Sequence, residues 1–322
     1  MKKVLVANYV HPALLEGLQS LGFEVVYEPN FNPDDLEHLL PSLSGVVINT
    51  KIKMTQTRIN MATQLEFIAR LGSGLDIIDL PAAKAQGVAV FSAPEGNRNA
   101  VAEHALGMIL SLANKLSRAD RCVREKKWDR ESCRGFELEG KTIGLIGFGN
   151  TGQAFASKVS SWTLDLIYND PYVLNIPKGL RTFESVTIDQ IWERADIISL
   201  HVQLTKETKR MIDANFLAQC KKGVIIVNTS RGDVVDTAAL IEAMESNHVS
   251  GACLDVFPNE KPHTYSQDQH QLYDRLFAME NVVLSPHVAG WTHESLHKIA
   301  TVLVDKIKRL DIEANVYDET SN

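Results

Sequence analysis

Short runs of apolar, largely β-branched residues recur along almost the whole chain, and most are followed by a stretch whose apolar residues fall at helical spacing. This alternation is the strongest constraint on the fold. Several runs are apolar at nearly every position, so both faces must be covered, as in a parallel sheet flanked by helices. The runs fall at 3–7, 24–27, 45–48, 67–69 and 88–90, then at 142–146, 165–168, 197–200, 224–228, 251–254 and 282–284. Helical stretches such as 12–21 and 236–245 lie between them, the second opened by Asp236, a favoured N-cap type. The pattern predicts an α/β protein built of doubly wound units.

Two units are expected, because single cores stop growing at roughly 250–300 residues and this chain has 322. The rhythm breaks between residues 98 and 140. A long helical pattern starts around Asn99, carries Val101, Ala105, Leu106, Met108, Ile109, Leu112 and Leu116, and decays into the charged stretch 118–127. A polar segment, 128–140, then leads to a fresh strand. The last helical stretch, about 292–310, has no strand after it and is expected to cross back to the first unit. The expected domains are therefore 1–98 with 292–322, and 99–291. Beyond a short polar tail at 318–322 no low-complexity tract interrupts them.

A net charge of −7 argues against a nucleic-acid surface, which would need clustered positive charge, and leaves room for a local basic pocket. Cys122, Cys133, Cys220 and Cys253 are too few and too scattered for a disulfide framework or a CxxC metal site, so no metal is expected and a reducing compartment suits them. The apolar run at the N-terminus is too short for a signal peptide and reads as a strand, and no stretch approaches the ~20 residues of a membrane span. A cytoplasmic protein without membrane or nucleic-acid partners is the expectation.

The clearest local signal is Thr142-Ile143-Gly144-Leu145-Ile146-Gly147-Phe148-Gly149-Asn150-Thr151-Gly152, a buried strand running into Gly-x-Gly-x-x-Gly and then a helix. Gly147 suits the tight turn, Gly149 the approach of backbone to a pyrophosphate, and Gly152 close helix–strand packing. The helix N-terminus offers free N–H groups and a positive dipole end to phosphates. Alone, the string also reads as an ordinary glycine turn. The next strand, however, ends at Asp170, close to the ~20-residue spacing of a ribose-binding acid. A carboxylate there accepts from ribose hydroxyls and repels a 2′-phosphate, and no arginine immediately follows, so NAD is the expected cofactor.

Three further strand ends carry reactive side chains: Arg231 after 224–228, Asp255 and then Glu260 after 251–254, and His287 after 282–284. In open α/β sheets ligands sit beyond the carboxyl ends of strands. Each residue alone reads as a surface group. Together they equip the chain to oxidise an alcohol beside a carboxylate. A histidine exchanges the hydroxyl proton near neutrality, Glu260 would fix its tautomer and favour the imidazolium, and Arg231 would hold a carboxylate and polarise the carbonyl.

With these segments in view, nearly the whole chain resembles the D-isomer-specific 2-hydroxyacid dehydrogenases. GLIGFGNTG, NTSRGDVVD, GACLDVFPNE and LSPHVAGWT match that family in its order. The resemblance implies a Rossmann NAD-binding domain and a flavodoxin-like substrate domain, with Arg231, Glu260 and His287 as the catalytic set. It implies NAD contacts from Asn150, Thr151, Asp170, Thr229, Ser230, Arg231 and Asp255, the last meeting the nicotinamide amide, with His287 to Gly290 lining the same end. It also implies a homodimer paired through the cofactor domain and the long helix near Asn99. In the first domain Arg70-Leu71-Gly72-Ser73-Gly74-Leu75-Asp76 resembles the family's substrate loop, in which Ser73 and Gly74 would grip a carboxylate through backbone N–H groups. Asn97 matches an asparagine that faces the substrate.

The composite pattern looks closest to the phosphoglycerate dehydrogenase branch, which makes 3-phosphoglycerate the expected substrate and serine synthesis the expected setting. Lys51 and Lys53 flank Ile52 and would lie on one face of an extended segment, where they bind a phosphate or form a solvated surface pair. The chain ends soon after its last helix, so feedback through an appended regulatory domain is not expected. Trp291 is open to two readings, a wall of the substrate pocket or an interdomain contact. The competing functions are a glyoxylate or hydroxypyruvate reductase, an NAD-sensing corepressor and a catalytically dead scaffold. The corepressor would want recruiting tails, and the scaffold conflicts with the presence of all three reaction residues.

Overall fold

The structure, a computed structural model, describes residues 1–162, 165–173 and 183–310, and the expected polar tail 318–322 lies outside them. The chain forms two compact units, Met1–Asn99 with the segment that begins at Gly290, and Ala100–Ala289.

In the first unit β1 (Lys3–Val6), α1 (Pro12–Ser20), β2 (Glu24–Tyr27), α2 (Leu36–Leu39), β3 (Gly45–Ile48), α3 (Gln56–Met61), β4 (Phe67–Arg70), α4 (Leu80–Ala85) and β5 (Ala89–Phe91) alternate. The five strands are parallel in the order β2-β1-β3-β4-β5, the flavodoxin-like arrangement. Period-two alternation sends Leu5, Val46, Ile48, Ile68 and Val90 to one face, where Leu36, Leu40, Ile59 and Ala83 of the helices cover them.

Helix α5 (Pro94–Ala113) starts in the first unit and continues in the second, as the division falls after Asn99. It begins earlier than the expected Asn99. Its first turn, Glu95-Gly96-Asn97-Arg98-Asn99, is polar and shows no apolar period, while Pro94 suits a first helical position. The charged stretch after it is a separate helix, α6 (Leu116–Arg124), rather than a decay. Lys115, at φ 50° in the left-handed region, breaks the axis, and the Asp120–Arg124 pair at 2.7 Å supports the new turn.

The second unit continues with β6 (Thr142–Ile146), α7 (Asn150–Val159), β7 (Asp165–Asn169), β8 (Phe183–Ser185), α8 (Ile188–Arg194), β9 (Ile197–Leu200), α9 (Ala214–Gln219), β10 (Val224–Asn228), α10 (Thr237–Glu245), β11 (Val249–Leu254), α11 (Gln267–Phe277) and β12 (Val282–Leu284). Its seven strands are parallel in the order β12-β11-β10-β9-β6-β7-β8, the doubly wound nucleotide-binding order with one strand added. Strand β8 has no counterpart in the sequence reading. It has three residues at the sheet edge and only Phe183 is buried, so no apolar run marks it. The reversal of strand order lies between β6 and β9, directly below the glycine turn.

The last helix, α12 (His293–Ile307), is opened by a capping box of Thr292 and Ser295 and belongs to the first unit. Its Ile299, Ala300, Leu303 and Ile307 join Leu14 and Leu18 of α1 over Val4, Val6, Val47, Phe67 and Ala69, the other face of the five-stranded sheet. Two glycines let the backbones meet. A Cβ on Gly17 would overlap the Val304 side chain, and one on Gly96 would lie 2.7 Å from Ile299 N.

Candidate functional site

The first part of the site is the turn after β6. Gly147 sits at φ +90°, and a Cβ there would lie 2.6 Å from His201 O, so the turn admits only glycine. A Cβ on Gly152 would overlap Gly147 O, which is the close helix–strand approach expected of the third glycine. Gly149, the N-cap of α7, borders open space, since a Cβ would meet nothing within 4 Å. Asn150 and Thr151 form the first turn of α7, whose N–H groups face the same way. Asp170 Oδ2 accepts from Phe148 N at 2.6 Å and Oδ1 from Tyr172 N at 2.9 Å, which ties the acid at the end of β7 to the turn. After β10, Thr229 Oγ1 is buried without a hydrogen-bond partner among the described residues, while Ser230 donates both N–H and Oγ–H to Asn228 Oδ1. An open glycine cradle, a helix N-terminus, a ribose-spaced carboxylate and an orphaned hydroxyl fit a dinucleotide.

The second part is built by β10, β11 and β12. Asn228, Leu254 and Leu284 lie in register, so the segments after them leave the sheet side by side at the carboxyl edge shared with β6. The β10 segment presses its backbone onto the β11 segment at Gly232, where a Cβ would overlap the Phe257 carbonyl and Pro258 N. That contact sets Arg231 beside the chain that carries Glu260. Glu260 Oε2 lies 2.8 Å from His287 Nδ1, and Glu260 Oε1 accepts from Phe257 N at 3.4 Å. Burial pushes the Glu260 carboxyl up, but the hydrogen bond and charge of His287, the Phe257 N–H and the Arg231 guanidinium outweigh it and hold the group below the usual glutamate value. The structure thus brings together the three residues singled out from sequence.

A carboxylate only accepts, so Nδ1 carries the proton of this pair and Nε2 is the ring nitrogen left to exchange one with a bound hydroxyl. The His287 backbone is held at φ 56°, a left-handed conformation that costs roughly 1–2 kcal/mol outside glycine. Asp255 supports it. The His287 N–H donates to Asp255 O at 2.7 Å, and the N–H groups of Val288 and Ala289 donate to Asp255 Oδ1 and Oδ2 at 2.9 Å. Asp255 is wholly buried, and Ser285 Oγ donates to its Oδ1 at 2.6 Å.

The remaining expected residues belong to the first unit. Lys51 and Lys53 follow β3, Ser73 and Gly74 follow β4, and Asn97 lies in the first turn of α5 after β5, so all leave the carboxyl edge of one parallel sheet. Backbone bonds stitch that edge, from Leu71 N to Ile48 O and from Ala93 N to Gly72 O, both 2.8 Å. The two lysines are exposed on either side of buried Ile52. Asn97 Oδ1 is buried and lacks a donor among the described residues, which suits it to a hydroxyl. Gly290 O accepts from Ser295 Oγ at 2.7 Å, and Trp291 is 62% exposed. Among the described residues no three His, Cys, Asp or Glu converge as metal ligands, and no helix is long and apolar enough to cross a membrane.

Sequence reasoning missed His104 and His201. His104 Nε2 is 2.8 Å from Ser285 Oγ, yet in the chain it is one polar residue inside a long helical pattern. His201 lies partly buried behind the glycine turn, with Nε2 3.0 Å from Ser199 Oγ and Nδ1 shut off from solvent, and desolvation lowers its imidazole to about 4. Its place just after β9, on the edge that holds the turn, was the available signal.

Residues 106–289 match the family model described as D-isomer specific 2-hydroxyacid dehydrogenase, NAD binding domain. The chain belongs to the D-isomer specific 2-hydroxyacid dehydrogenases. Over 312 residues it is 33% identical to the D-3-phosphoglycerate dehydrogenase of Homo sapiens, covering 96% of this chain and 57% of the human protein. Over 282 residues it is 37% identical to the hydroxypyruvate reductase of Thermotoga maritima, covering 88% and 89% of the two chains. The crystal structure of D-lactate dehydrogenase from Aquifex aeolicus, complexed with NAD and lactic acid, matches with a TM-score of 0.82 at 27% identity, over 97% of this chain and 96% of that one. The chain spans little more than half the length of the phosphoglycerate dehydrogenases it matches.

Proposed function

We propose that the protein is an NAD-dependent oxidoreductase acting on the CH–OH of a D-2-hydroxy acid, and that the acid is D-3-phosphoglycerate, drawn from serine synthesis. The observation that carries the reaction is the 2.8 Å bond between Glu260 Oε2 and His287 Nδ1, on the same sheet edge as the glycine turn. His287 Nε2 takes the hydroxyl proton and returns it in the reverse direction, while Glu260 keeps Nδ1 protonated and stabilises the imidazolium. Arg231 holds the substrate carboxylate and polarises the forming carbonyl oxygen. NAD, held by the residues named next, would supply the hydride acceptor for the hydroxyl-bearing carbon. Gly147, Gly149, Asn150, Thr151 and Gly152 would take its pyrophosphate and Asp170 its ribose, with Thr229, Ser230, Arg231, His287 and Gly290 at the nicotinamide end, where Asp255, which has no exposed surface, would support the 287–289 backbone rather than meet the cofactor.

For substrate, the reading assigns the carboxylate to the loop at Ser73 and Gly74, the hydroxyl to Asn97 and the phosphate to Lys51 and Lys53. The exposure of both lysines supports it, as do the phosphoglycerate dehydrogenases among the relatives. Hydroxypyruvate reduction is the second reading, favoured by the Thermotoga relative, which the chain matches over most of its length. The domain roles follow: 1–98 with 292–322 binds substrate and 99–291 binds NAD. A homodimer is supported by the exposed Leu116, Val123, Trp128 and Phe136 on and after α6, and a cytoplasmic setting by four free thiols.

The test is NADH absorbance across a panel of 2-keto and 2-hydroxy acids. Turnover of 3-phosphoglycerate that falls at least tenfold in Lys51→Ala/Lys53→Ala is the expected result. Preference for hydroxypyruvate or glyoxylate, indifferent to the lysines, would overturn the substrate. Absence of turnover with any acid, with NAD still bound, would overturn the reaction.

A further inference from the structure

His104 lies on α5 one turn before Met108, and both side chains face Ser285, whose Oγ is 2.8 Å from His104 Nε2 and 3.8 Å from Met108 Sδ. Ser285 Oγ is also 2.6 Å from Asp255 Oδ1. A serine hydroxyl has one proton and a carboxylate only accepts, so Ser285 donates to Asp255 and accepts from His104. This assigns a proton to His104 Nε2, which also lies 3.5 Å from Asp255 Oδ1. Asp255 has no exposed surface, so no bulk water can replace a missing donor. Its two carboxylate oxygens and its carbonyl receive the N–H groups of Val288, Ala289 and His287. A continuous set of hydrogen bonds therefore runs from α5 through Ser285 and Asp255 to the strained backbone that carries the imidazole.

We propose that His104 is a positioning residue for His287, acting through Ser285 and Asp255 to hold the 285–289 segment in the one conformation that points the imidazole at Glu260. The Glu260 bond alone leaves the ring free to follow its backbone, because Glu260 is itself 39% exposed and rides on a loop. The buried Asp255 carboxylate supplies the rigid end, and the oxygen that holds Val288 N is the one Ser285 and His104 approach. Removing the His104 N–H leaves Ser285 Oγ without its donor and frees the hydroxyl to turn to Met108 Sδ or away from the carboxylate. The Val288 N–H bond then loses its support, and the left-handed conformation at His287 relaxes. This inference rests on His287 being the proton-exchanging group.

The experiment compares His104→Phe, which keeps a ring on the helix face but no donor, with His104→Gln, which keeps an N–H at similar reach. Each is measured for kcat and KM with the acid that wild type turns over, for NAD affinity, for thermal midpoint, and for the His287 ring resonances in histidine-labelled protein. Those resonances are identified by their loss in His287→Asn. His104→Phe is expected to lower kcat about tenfold with KM within twofold, to shift or broaden the His287 Nδ1–H signal, and to retain its melting transition. His104→Gln is expected to recover most of both. Wild-type kcat and an unmoved His287 signal in His104→Phe would overturn the proposal, as would a loss that His104→Gln does not recover. Should wild type turn over no 2-hydroxy acid while the His287 signal still answers His104→Phe, the reaction assignment fails and the positioning stands.

Discussion

At the scale of single residues, the site works by fixing which atom holds which proton. Glu260 is kept ionised by His287 and Arg231 against the opposing effect of burial. Glu260→Gln replaces an acceptor-only carboxylate by a neutral amide that can accept or donate, so the His287 tautomer is no longer defined and the imidazolium loses its counter-charge; kcat is expected to fall about 10²-fold with NAD affinity retained, read by NADH absorbance and equilibrium titration. His201 is the opposite case, a partly buried imidazole held neutral by desolvation, with its value lowered from 6.5 to about 4. Below pH 6.5 the unfolded chain binds a proton there that the folded chain does not. Stability is therefore complete above pH 6.5, declines as pH falls toward 4, and levels below that. The full difference is at most about 3 kcal/mol. Thermal midpoints across that range should fall in wild type and flatten in His201→Leu by one proton's worth of slope; parallel curves would contradict a desolvated neutral ring. Arg231, Glu260 and His287 were legible because each stands in the loop that follows an apolar strand. His104 was not, since a helix hides a functional side chain among solvent-facing ones until its neighbour across the fold is known.

At the scale of elements, glycine contacts decide how closely segments meet. Gly232 is an example whose sequence signal is easily misread, because Arg231-Gly232-Asp233 resembles an adhesion tripeptide while the glycine serves to press one backbone onto another. In Gly232→Ala the added methyl meets backbone that cannot yield, so the β10 and β11 segments must part. Loss of kcat with a small change in fold stability is expected in paired turnover and calorimetry measurements. Helix α12 is held by apolar burial, with Leu303 wholly buried over the sheet of the first unit. Leu303→Ala is expected to reduce stability by about 2–5 kcal/mol in urea unfolding. Strand positions were read to within about two residues because fully buried parallel strands are continuous apolar runs. The exceptions have physical reasons: β8 is a short edge strand, α6 is mostly charged with only Leu116, Ala119 and Val123 at helical spacing and none of its residues buried, and the first turn of α5 has no apolar face.

At the scale of the whole molecule, the chain order and the spatial order differ. The first unit is completed by the last helix, and without it Leu14, Leu18, Val4 and Val6 would lose their cover. A chain ending at residue 289 is expected to lose amide protection across the first unit while keeping it across β6 to β12, measured by hydrogen exchange. Uniform protection in both units would show that α12 is dispensable. The second unit carries the reversal of strand order, the glycine turn and all three proposed reaction residues beyond one continuous sheet, so it should keep its fold and its NAD affinity in that truncated chain.

Local order alone determined the class of fold, the number of units and the cofactor motif, because strand burial, glycine spacing and strand-end acids are properties of neighbouring residues. Family membership was likewise written in four short segments. The tertiary structure decided the rest: that Glu260 meets His287 through Nδ1, that Asp255 supports the imidazole's backbone from just beyond the end of β11, and that His104 stands behind it. Those contacts join residues 27, 33 and 181 positions apart, and only the parallel register of β10, β11 and β12 and the packing of α5 bring them within hydrogen-bond reach.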